Sequence, residues 1–296
     1  MFAAMSIMDD APDVRIEHVA CCLCGSTKHK TIYIVDLNSV RLSAMWHGST
    51  RIPINQPMHI VKCTGCGLVF VNPRIAFDER LTPYDHNAEA SYFEHTRAKR
   101  RVVASNLAAQ IRSIVPSGRW LDIGCGDGVL MEAAHEHGYE VYGTEISESL
   151  ISQLRLKFGP NRILSYDLSL LRHSHFDIIT MVSVLEHVHA PFDMLRDVRR
   201  ALKPSGILAV QVPNIESLTA RIQGRSWDQI EPLGHLYYFS KRTLSALLSK
   251  AGFRVIGRFA FTSKVDLSTG PRPIKRLLAA VGSHLGPSLA LLAVPQ

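Results

Sequence analysis

The glycine-rich segment 121–128 contains residues that could bind a nucleotide-like cofactor. Its sequence, Leu-Asp-Ile-Gly-Cys-Gly-Asp-Gly, follows a short apolar run and precedes a stretch of helical pattern. Glycines let a backbone turn sharply from strand to helix and approach a ligand closely, and the helix N-terminus adds unpaired N–H donors. Glu145 ends the next strand-like run, where a carboxylate can accept hydrogen bonds from both ribose hydroxyls. Together these features predict a site for an adenosyl cofactor.

The spacing within this segment separates two kinds of adenosyl cofactor. A dinucleotide fingerprint needs a small residue three positions after Gly126, where this chain has Val129. The D-x-G-x-G-x-G form from Asp122 to Gly128 instead resembles motif I of the class I S-adenosylmethionine (SAM) dependent methyltransferases. That resemblance implies SAM as the cofactor and a doubly wound, Rossmann-like α/β fold with a seven-stranded sheet. The alternative interpretation is a plain strand-to-helix turn.

The apolar pattern from Trp120 onward agrees with such a fold, because runs of strand length alternate with amphipathic helical stretches. The sequence predicts strands at 120–123, 140–144, 162–165, 176–182 and 207–212. It predicts helices at 129–137, 150–158 and 191–202. Residues 253–259 and 288–294 are predicted as the closing strands, and the resemblance implies that the last one is inserted antiparallel. Open α/β sheets bind ligands at the carboxyl ends of their strands.

Cofactor contacts are therefore expected where these strands end. The positions assigned to the cofactor are Asp122, Gly124, Cys125, Gly126, Glu145, Ile146, Asp167, Val182 and Ser183. Asp167, just after the third strand, is placed to accept a hydrogen bond from the adenine amine. Its alternative role is to cap the N-terminus of the following turn.

A second motif follows the fourth strand. Residues 181–191, Met-Val-Ser-Val-Leu-Glu-His-Val-His-Ala-Pro, resemble the post-strand-four motif of small-molecule methyltransferases, including the quinone-pathway O-methyltransferases. The resemblance implies that this backbone lies beside the methionine part of SAM. His187 is a candidate general base, since an imidazole titrates near neutrality. Alternatively, Glu186 and His187 cap the next helix and organise the loop.

A long insertion follows the fifth strand and contains Gly-Arg-Ser-Trp at 224–227 and Gly-His-Leu-Tyr-Tyr-Phe-Ser at 234–240. Loops of this length inside a compact domain are usually functional. Its aromatic side chains could stack on a sugar or base, and Arg225 could bind a phosphate. The alternative is a lid that packs these aromatic side chains against the sheet.

Four of the six cysteines fall in two Cys-x-x-Cys-Gly pairs, Cys21 with Cys24 and Cys63 with Cys66. Paired thiolates at this spacing can converge on one tetrahedral Zn²⁺, so the pairs predict a structural zinc. Cys22 is a less suitable ligand because it stands only two residues before Cys24. A redox Cys-x-x-Cys, the alternative, would not need two copies.

The double cysteine pair before a SAM domain and the His-x-x-Tyr-Phe-Ser pattern from His235 resemble the zinc-containing methyltransferases of nucleotide sugars and envelope glycans. The resemblance covers roughly residues 20–255. In the sugar C-methyltransferases of that group a Glu-His pair precedes the aromatic residues, whereas this chain has Gly234 before His235. O-methylation of a saccharide or nucleotide-sugar hydroxyl is therefore predicted, with His235 or His187 as the catalytic base. Such a reaction would serve envelope-glycan or secondary-metabolite biosynthesis.

These segments divide the chain into four predicted parts. They are a flexible tail at 1–18, a zinc-ribbon domain at 19–75, a helical linker or cap at 76–115, and a SAM-binding methyltransferase domain at 116–296. The helical part is expected to cover the cofactor end of the sheet.

The net charge of +7 is concentrated near the C-terminus, where Lys241 to Gln296 contain nine Lys and Arg against the single acid Asp266. A basic surface favours a phosphate-bearing partner such as a nucleotide sugar, an RNA or an anionic membrane, although it can also be a solvated face. RNA methylation is therefore one alternative function. A non-catalytic SAM-binding scaffold is another.

Targeting signals are weak. Residues 1–8 are apolar but lack a basic lead, so no cleaved signal peptide is expected and the protein is predicted to be cytoplasmic. Residues 277–294 contain no Asp, Glu, Lys or Arg and just reach transmembrane length, but glycine and proline interrupt them. A helix, a turn and a final strand are predicted there, with peripheral membrane attachment as the alternative. The oligomeric state is not indicated.

Overall fold

The computed structural model describes residues 15–36, 57–76, 86–261 and 286–296, and only the backbone of residues 86–90. The strands are β1 Ile16–Glu17, β2 His29–Val35, β3 Met58–Cys63, β4 Val69–Val71, β5 Arg74–Ile75, β6 Arg119–Ile123, β7 Glu140–Thr144, β8 Ile163–Leu164, β9 Phe176–Val182, β10 Leu202–Pro213, β11 Tyr237–Tyr238, β12 Phe253–Arg258 and β13 Ser288–Pro295. The α-helices are α1 His86–Arg112, α2 Val129–Glu136, α3 Glu148–Phe158, α4 Pro191–Ala201, α5 Leu218–Gln223 and α6 Lys241–Lys250.

The main element is a seven-stranded mixed sheet in the order β12-β13-β10-β9-β6-β7-β8. Strands β10, β9, β6, β7 and β8 run parallel, and β13 is inserted antiparallel between β10 and β12. The predicted α/β fold with a seven-stranded sheet is confirmed. The glycine-rich turn after β6 and the end of β9 therefore lie side by side at the carboxyl edge of the parallel strands.

Buried side chains cover both faces of this sheet, because successive residues of a strand point to opposite sides. Trp120 packs in one cluster with α1, α2 and α3, whereas Leu121 packs in the other with α4 and α6. The second cluster also contains Val61, Leu68 and Phe70 from the N-terminal region. That region is thus part of one face of the sheet.

Most predicted element bounds lie within two residues of the observed ones, and two strands differ in form. The third predicted strand, 162–165, is reduced to Ile163–Leu164, since a 3-10 turn occupies Pro160–Arg162. The fifth, 207–212, extends back to Leu202 through an irregularity between Leu202 and Ile207. The predicted strand at 288–294 is present, and the residues proposed to form a helix before it lie outside the described residues.

Residues 15–36 and 57–76 form a small unit that we call the cysteine module. Its two Cys-x-x-Cys-Gly turns have the same backbone hydrogen bonds: Gly25 N–H donates to Cys21 O, and Gly67 N–H donates to Cys63 O. Both glycines have left-handed φ angles of 75° and 78°, which L side chains adopt only at a cost. The following strands β2, β3 and β4 form an antiparallel sheet.

The fourth strand of this small sheet comes from elsewhere in the chain. Strand β11 pairs antiparallel with β4, in the register Tyr237 with Phe70 and Tyr238 with Val69. The insertion after β10 and the cysteine module therefore share one sheet. Among the described residues, no helix is long and apolar enough to cross a membrane.

Candidate active site

The glycine loop, residues 124–128, joins β6 to α2 at the carboxyl edge of the sheet. Gly124 and Gly126 have φ angles of 66° and 55°, in the left-handed region that favours glycine. A Cβ atom at Gly126 would lie 2.8 Å from the Phe93 ring, and one at Gly124 would lie 2.7 Å from Val184. Both positions therefore exclude a side chain while their neighbours stay in place, and the glycines let Phe93 and Val184 pack directly against the loop backbone.

Glu145, the predicted ribose acceptor, is buried at the end of β7. Its Oε2 accepts a hydrogen bond from Gly126 N–H at 2.8 Å, and its Oε1 accepts from Ile146 N–H and Ser147 N–H at 2.7 and 3.1 Å. A carboxylate has about four acceptor positions. Glu145 thus fixes the glycine loop against the next strand and retains capacity for a further donor.

Asp122 lies beneath the loop, and the structure gives it a packing role. Its Oδ1 accepts a hydrogen bond of 2.6 Å from the Thr180 hydroxyl, which in turn accepts one from the Trp120 indole N–H at 2.9 Å. Burial raises the pKa of Asp122 to about 7, although the Thr180 hydrogen bond opposes the shift. Cys125 is also buried, and its N–H donates to Thr144 O at 3.0 Å.

Helix α1 covers the loop from outside and is held there by charge. Arg97 and Arg100 donate to the Asp127 carboxylate at 2.5 and 2.6 Å, and Arg101 donates to Glu132 of α2 at 2.7 Å. The Arg100 guanidinium also stacks on Phe93, 4.7 Å from the ring centroid. Helix α1 is therefore part of the loop's surroundings, as expected for the helical segment.

The remaining predicted cofactor positions line the same edge. Ile146 is 43% exposed beside Glu145. Ser183, just after Val182 at the end of β9, has a φ of 53° and donates its hydroxyl to Gln211 Oε1 at 2.9 Å. Asp167 is exposed and accepts from Ser169 N–H at 3.0 Å, which is the capping role named as its alternative. Its adenine contact stays a prediction.

Three side chains converge just beyond β9, and we call them the Glu-His-His cluster: Glu186, His187 and His235. One ligand atom from each lies within 4.8 Å of the other two. The two imidazole rings meet edge to face with their centroids 4.8 Å apart. The structure thus brings the two predicted catalytic histidines together, although they lie 48 residues apart in the sequence.

The cluster is uncharged near neutral pH. Burial raises the pKa of Glu186 to about 8. Loss of solvation and the neighbouring His235 ring lower the pKa of His187 to about 3, and burial also lowers the pKa of His235. In this state each imidazole carries one proton and offers one free nitrogen.

The aromatic residues of the insertion do not face a ligand. Trp227, Tyr237, Tyr238 and Phe239 are all at most 4% exposed. The prediction that these four rings stack on a sugar or base is therefore wrong. Tyr237 and Phe239 pack against the main sheet, as the alternative predicted, whereas Trp227 and Tyr238 pack with the cysteine module. Burying such large side chains stabilises the fold more than leaving them on a loop surface would. Arg225 is exposed.

Arg74 connects the cysteine module to the cluster's surroundings. Its guanidinium, 11% exposed, donates to Glu17 at 2.9 Å, to the His189 carbonyl at 3.0 Å and to the Tyr237 hydroxyl at 3.1 Å. His189 lies in the loop that carries His187. A single buried cation therefore joins β5, the loop after β9 and β11.

The four paired cysteines meet at one point, which we call the thiolate cluster. Their sulfur atoms all lie within 4.8 Å of one another, with Cys21 to Cys66 at 3.4 Å and Cys24 to Cys63 at 3.5 Å. Tetrahedral Zn–S bonds of about 2.3 Å place sulfur atoms about 3.8 Å apart, so the arrangement fits a zinc ion. Cys22 is outside the set.

A family model described as a methyltransferase domain matches residues 92–257, more than half of the chain. The chain belongs to the methyltransferase domain family. Its seven-stranded sheet is the class I SAM-dependent methyltransferase fold. The matched residues include the glycine loop and the whole Glu-His-His cluster, while the thiolate cluster precedes them.

Two relatives and one solved structure illustrate the similarity. The chain is 38% identical over 94 residues to a ubiquinone biosynthesis O-methyltransferase of Coxiella burnetii, covering 30% of this chain and 40% of that protein. It is 32% identical over 110 residues to the enzyme of that name in Xanthomonas campestris, covering 35% and 46%. The chain thus spans less than half the length of these curated relatives. The solved structure of mitomycin 7-O-methyltransferase matches with a TM-score of 0.52 at 19% identity, covering 73% of this chain and 60% of that one, which supports the fold alone.

Sequence reasoning missed several residues of this site. Phe93, on the loop's outer side, and Arg74 gave no motif. The sequence offered Glu186, His187 and His235 as separate candidates, and the pairing of β11 with β4 is what brings the insertion to the end of β9. Locally, the sequence indicates this pairing only through the two residues of β11 and the capped helix α6 that follows them.

Proposed function

We propose that this methyltransferase domain protein transfers the methyl group of SAM to a hydroxyl oxygen of a small-molecule acceptor. The observation that carries the proposal is the placement of the Glu-His-His cluster next to the glycine loop: Val184, which contacts Gly124, is two residues before Glu186. A cofactor pocket and a cluster able to handle a proton thus lie at one edge of the sheet. Fold alone does not identify a reaction, so the reaction has to be inferred from the residues of the site.

The residues proposed to hold SAM are the glycines of the loop and the residues that follow β7. Gly124 and Gly126 would admit the cofactor against the backbone, and Glu145 would accept from the ribose. Ile146 would cover one face of the adenine, since its side chain is apolar and partly exposed. Bound SAM supplies a methyl group on a sulfonium centre. Transfer then requires an acceptor oxygen held in line with that methyl group.

His187 and His235 are the proposed catalytic groups for the acceptor hydroxyl. Each presents Nε2 to the cluster, because each Nδ1 is engaged by a backbone carbonyl, Gly234 O at 3.0 Å and Gln229 O at 2.9 Å. A neutral imidazole with a free nitrogen can accept a hydrogen bond from a hydroxyl and orient its oxygen. The remaining predicted contacts, Asp122, Cys125, Asp167, Val182 and Ser183, would shape the pocket around SAM.

For the acceptor we propose a saccharide or nucleotide sugar. A groove of about 480 Å³ beside the thiolate cluster is lined by Lys30, Lys62 and Arg242. Within the described part of the chain, none of these three cations forms an ion pair with a carboxylate, so the groove favours a phosphate-bearing molecule. The same groove favours RNA methylation as the second candidate function. The relatives are named for ubiquinone biosynthesis, which makes a lipophilic quinone precursor the main competing acceptor.

We further propose that the thiolate cluster binds one structural Zn²⁺ and thereby holds the cysteine module together, because so small a unit has little core of its own. Purified protein is expected to contain one zinc per chain in elemental analysis, and the Cys24→Ser variant is expected to lose it. The matched variant Cys22→Ser should keep its zinc, since Cys22 lies outside the cluster. Equal zinc in both variants would contradict the assignment.

The test of the function is transfer of radiolabelled methyl groups from SAM into a cell extract. The products are separated by nuclease digestion, anion exchange and extraction into organic solvent, and the Gly126→Arg variant supplies the background. Label in nuclease-resistant anionic sugars supports the saccharide proposal. Label in the solvent phase or label lost on digestion would replace the acceptor by a quinone-like molecule or by RNA. No label above background in any fraction would overturn methyl transfer itself.

A further inference from the structure

We propose that Glu186, His187 and His235 form a binding site for a divalent transition-metal ion, separate from the thiolate cluster. The donor set is two imidazole nitrogens and one carboxylate, whose ligand atoms all lie within 4.8 Å of one another. Two histidines and a glutamate are a known zinc-binding combination in which a fourth position stays open. The three residues come from two distant parts of the chain, so sequence spacing gives no motif for this site.

The histidines are oriented as metal ligands are. His187 Nδ1–H donates to Gly234 O at 3.0 Å, and His235 Nδ1–H donates to Gln229 O at 2.9 Å. A ligating histidine almost always donates its other ring nitrogen to a carbonyl or carboxylate, which fixes the tautomer and the direction of the ring. Here both rings are fixed by backbone carbonyls, and both Nε2 atoms are left for the ion.

Glu186 provides an independent observation. The side chain is fully buried, and among the described residues neither carboxylate oxygen has a hydrogen-bond partner. Oε1 lies 4.0 Å from His187 Nε2, beyond hydrogen-bond distance. A buried polar group without a partner costs free energy, and proteins rarely retain one without a reason. Coordination of a cation would satisfy both oxygens.

The electrostatic surroundings favour a cation. Burial lowers the pKa of His235, and the negative charges of Asp228 and Glu231 oppose that shift. Glu231 lies next to Ile230 in the buried part of the insertion. Its backbone carbonyl accepts a hydrogen bond from His235 N–H at 2.7 Å. These two nearby carboxylates would therefore favour a cation at the cluster.

The cluster is accessible through His187. His187 keeps 34% of its side-chain surface exposed, whereas Glu186 is closed off. The preceding Val184 touches Gly124 of the glycine loop. A molecule that reaches the cluster would therefore meet His187 before Glu186.

This inference deepens the proposed function and rests on it for its chemical role. An acceptor hydroxyl that binds the ion becomes more acidic. Its proton leaves to solvent, the oxygen forms a bond to the SAM methyl carbon, and the carbon–sulfur bond breaks with its electron pair remaining on sulfur. The products are the methyl ether, S-adenosylhomocysteine and one proton. With both Nε2 atoms bound to the ion, the ion rather than a free imidazole nitrogen would hold and orient the acceptor oxygen.

The experiment is a titration of the full-length, zinc-loaded protein with Co²⁺, followed by calorimetry and visible absorption. Cobalt bound by nitrogen and oxygen lacks the intense sulfur-to-metal charge-transfer band that cobalt in a thiolate site shows, so the spectrum distinguishes the two sites. Variants are His235→Ala, His187→Ala and Glu186→Gln. His135→Ala is the matched control, because His135 is an exposed histidine of α2 outside the cluster.

We expect one equivalent of Co²⁺ to bind without a charge-transfer band. The three cluster variants should bind it at least about tenfold more weakly, since changes that only disturb metal ligands already cost 10- to 100-fold in affinity. The control should bind it as the parent does. SAM affinity and near-ultraviolet circular dichroism are measured in every variant to show that the fold is intact, and Glu186→Gln, which keeps shape and size, serves if an alanine variant fails to fold.

Two results would overturn the site: no additional Co²⁺ in the parent, or equal Co²⁺ affinity in the parent and in a folded Glu186→Gln variant. Methyl transfer is assayed separately in the same preparations. Cobalt binding without methyl transfer would support the site and count against the proposed function. Methyl transfer that persists without any cluster-bound metal would support the proposed function and exclude a role of the metal in it.

Discussion

The glycine loop and the Glu-His-His cluster lie side by side but are built in opposite ways. The loop, its Glu145 anchor and the backbone donors of Ile146 and Ser147 all come from residues 124–147. The cluster takes Glu186 and His187 from the end of β9 and His235 from an insertion held by the cysteine module. Local chain geometry can form the first, whereas only tertiary pairing can form the second.

This difference implies that the two regions respond separately to change. A substitution in the loop should alter cofactor binding and leave the cluster in place. A substitution in the cysteine module should disturb the cluster and leave the loop largely intact. Three predictions test that separation, and the first is expected to have the largest effect.

Gly126→Arg should abolish SAM binding in calorimetry, because a side chain there clashes with Phe93 and must displace that ring or the loop backbone proposed to hold SAM. Gly138→Arg is the matched control: Gly138 also has a left-handed φ, 88°, but nothing lies within 4 Å of its Cβ position. Both variants carry the backbone cost of about 1 kcal/mol for a non-glycine residue in that region. Unchanged SAM affinity in Gly126→Arg would refute the placement of the cofactor.

Arg74→Met should lower the free energy of unfolding by about 3 kcal/mol, because it removes the buried cation that joins Glu17, the His189 carbonyl and the Tyr237 hydroxyl. Turnover should fall far more than SAM affinity does, since the change reaches the loop after β9 and not the glycine loop. Urea denaturation, calorimetry and methyl-transfer assays measure the three quantities.

The control for Arg74→Met is Lys250→Met. Lys250 also binds the cysteine module, donating to the Cys22 and Leu23 carbonyls at 3.1 and 3.0 Å, but these contacts are exposed. Its loss should cost only about 0.5 kcal/mol. If SAM affinity drops as much as turnover in Arg74→Met, the two regions are not independent.

The smallest expected effect concerns the ion pairs of Arg97 and Arg100 with Asp127, which we call the clamp between α1 and the loop. Burial alone would raise the pKa of Asp127, but the Arg100 and Arg97 guanidinium groups hold this pKa below its ordinary value. The clamp therefore stabilises the fold above about pH 4, and its contribution, on the order of 1 kcal/mol, is lost as the pH falls below that. The parent should melt at a higher temperature than Asp127→Asn at pH 5. This difference should shrink towards pH 3, because about one carboxyl group takes up a proton over that range. A difference that stays constant over this range would exclude the clamp.

The same contrast explains how much could be predicted from the sequence. The D-x-G-x-G-x-G spacing, the acidic residue after the next strand and the strand periodicity are local, so the fold and the glycine loop followed from them. Asp167 and the aromatic residues at 227 and 237–239 were harder, because a cap and a ligand contact, or a buried ring and a stacking ring, use the same residue types. Arg74 carries no pattern at all, since its three partners lie in three different segments.

The pairing of β11 with β4 also has a consequence for truncated forms of the protein. A chain shortened to the residues of the methyltransferase match would lose β4, and the backbone of Tyr237 and Tyr238 would become an unpaired sheet edge. Phe70, Val61 and Leu68 would no longer cover the face that they now share with α4 and α6. An exposed edge next to uncovered apolar side chains promotes self-association. The cysteine module therefore also covers a sheet edge and an apolar face of the methyltransferase domain.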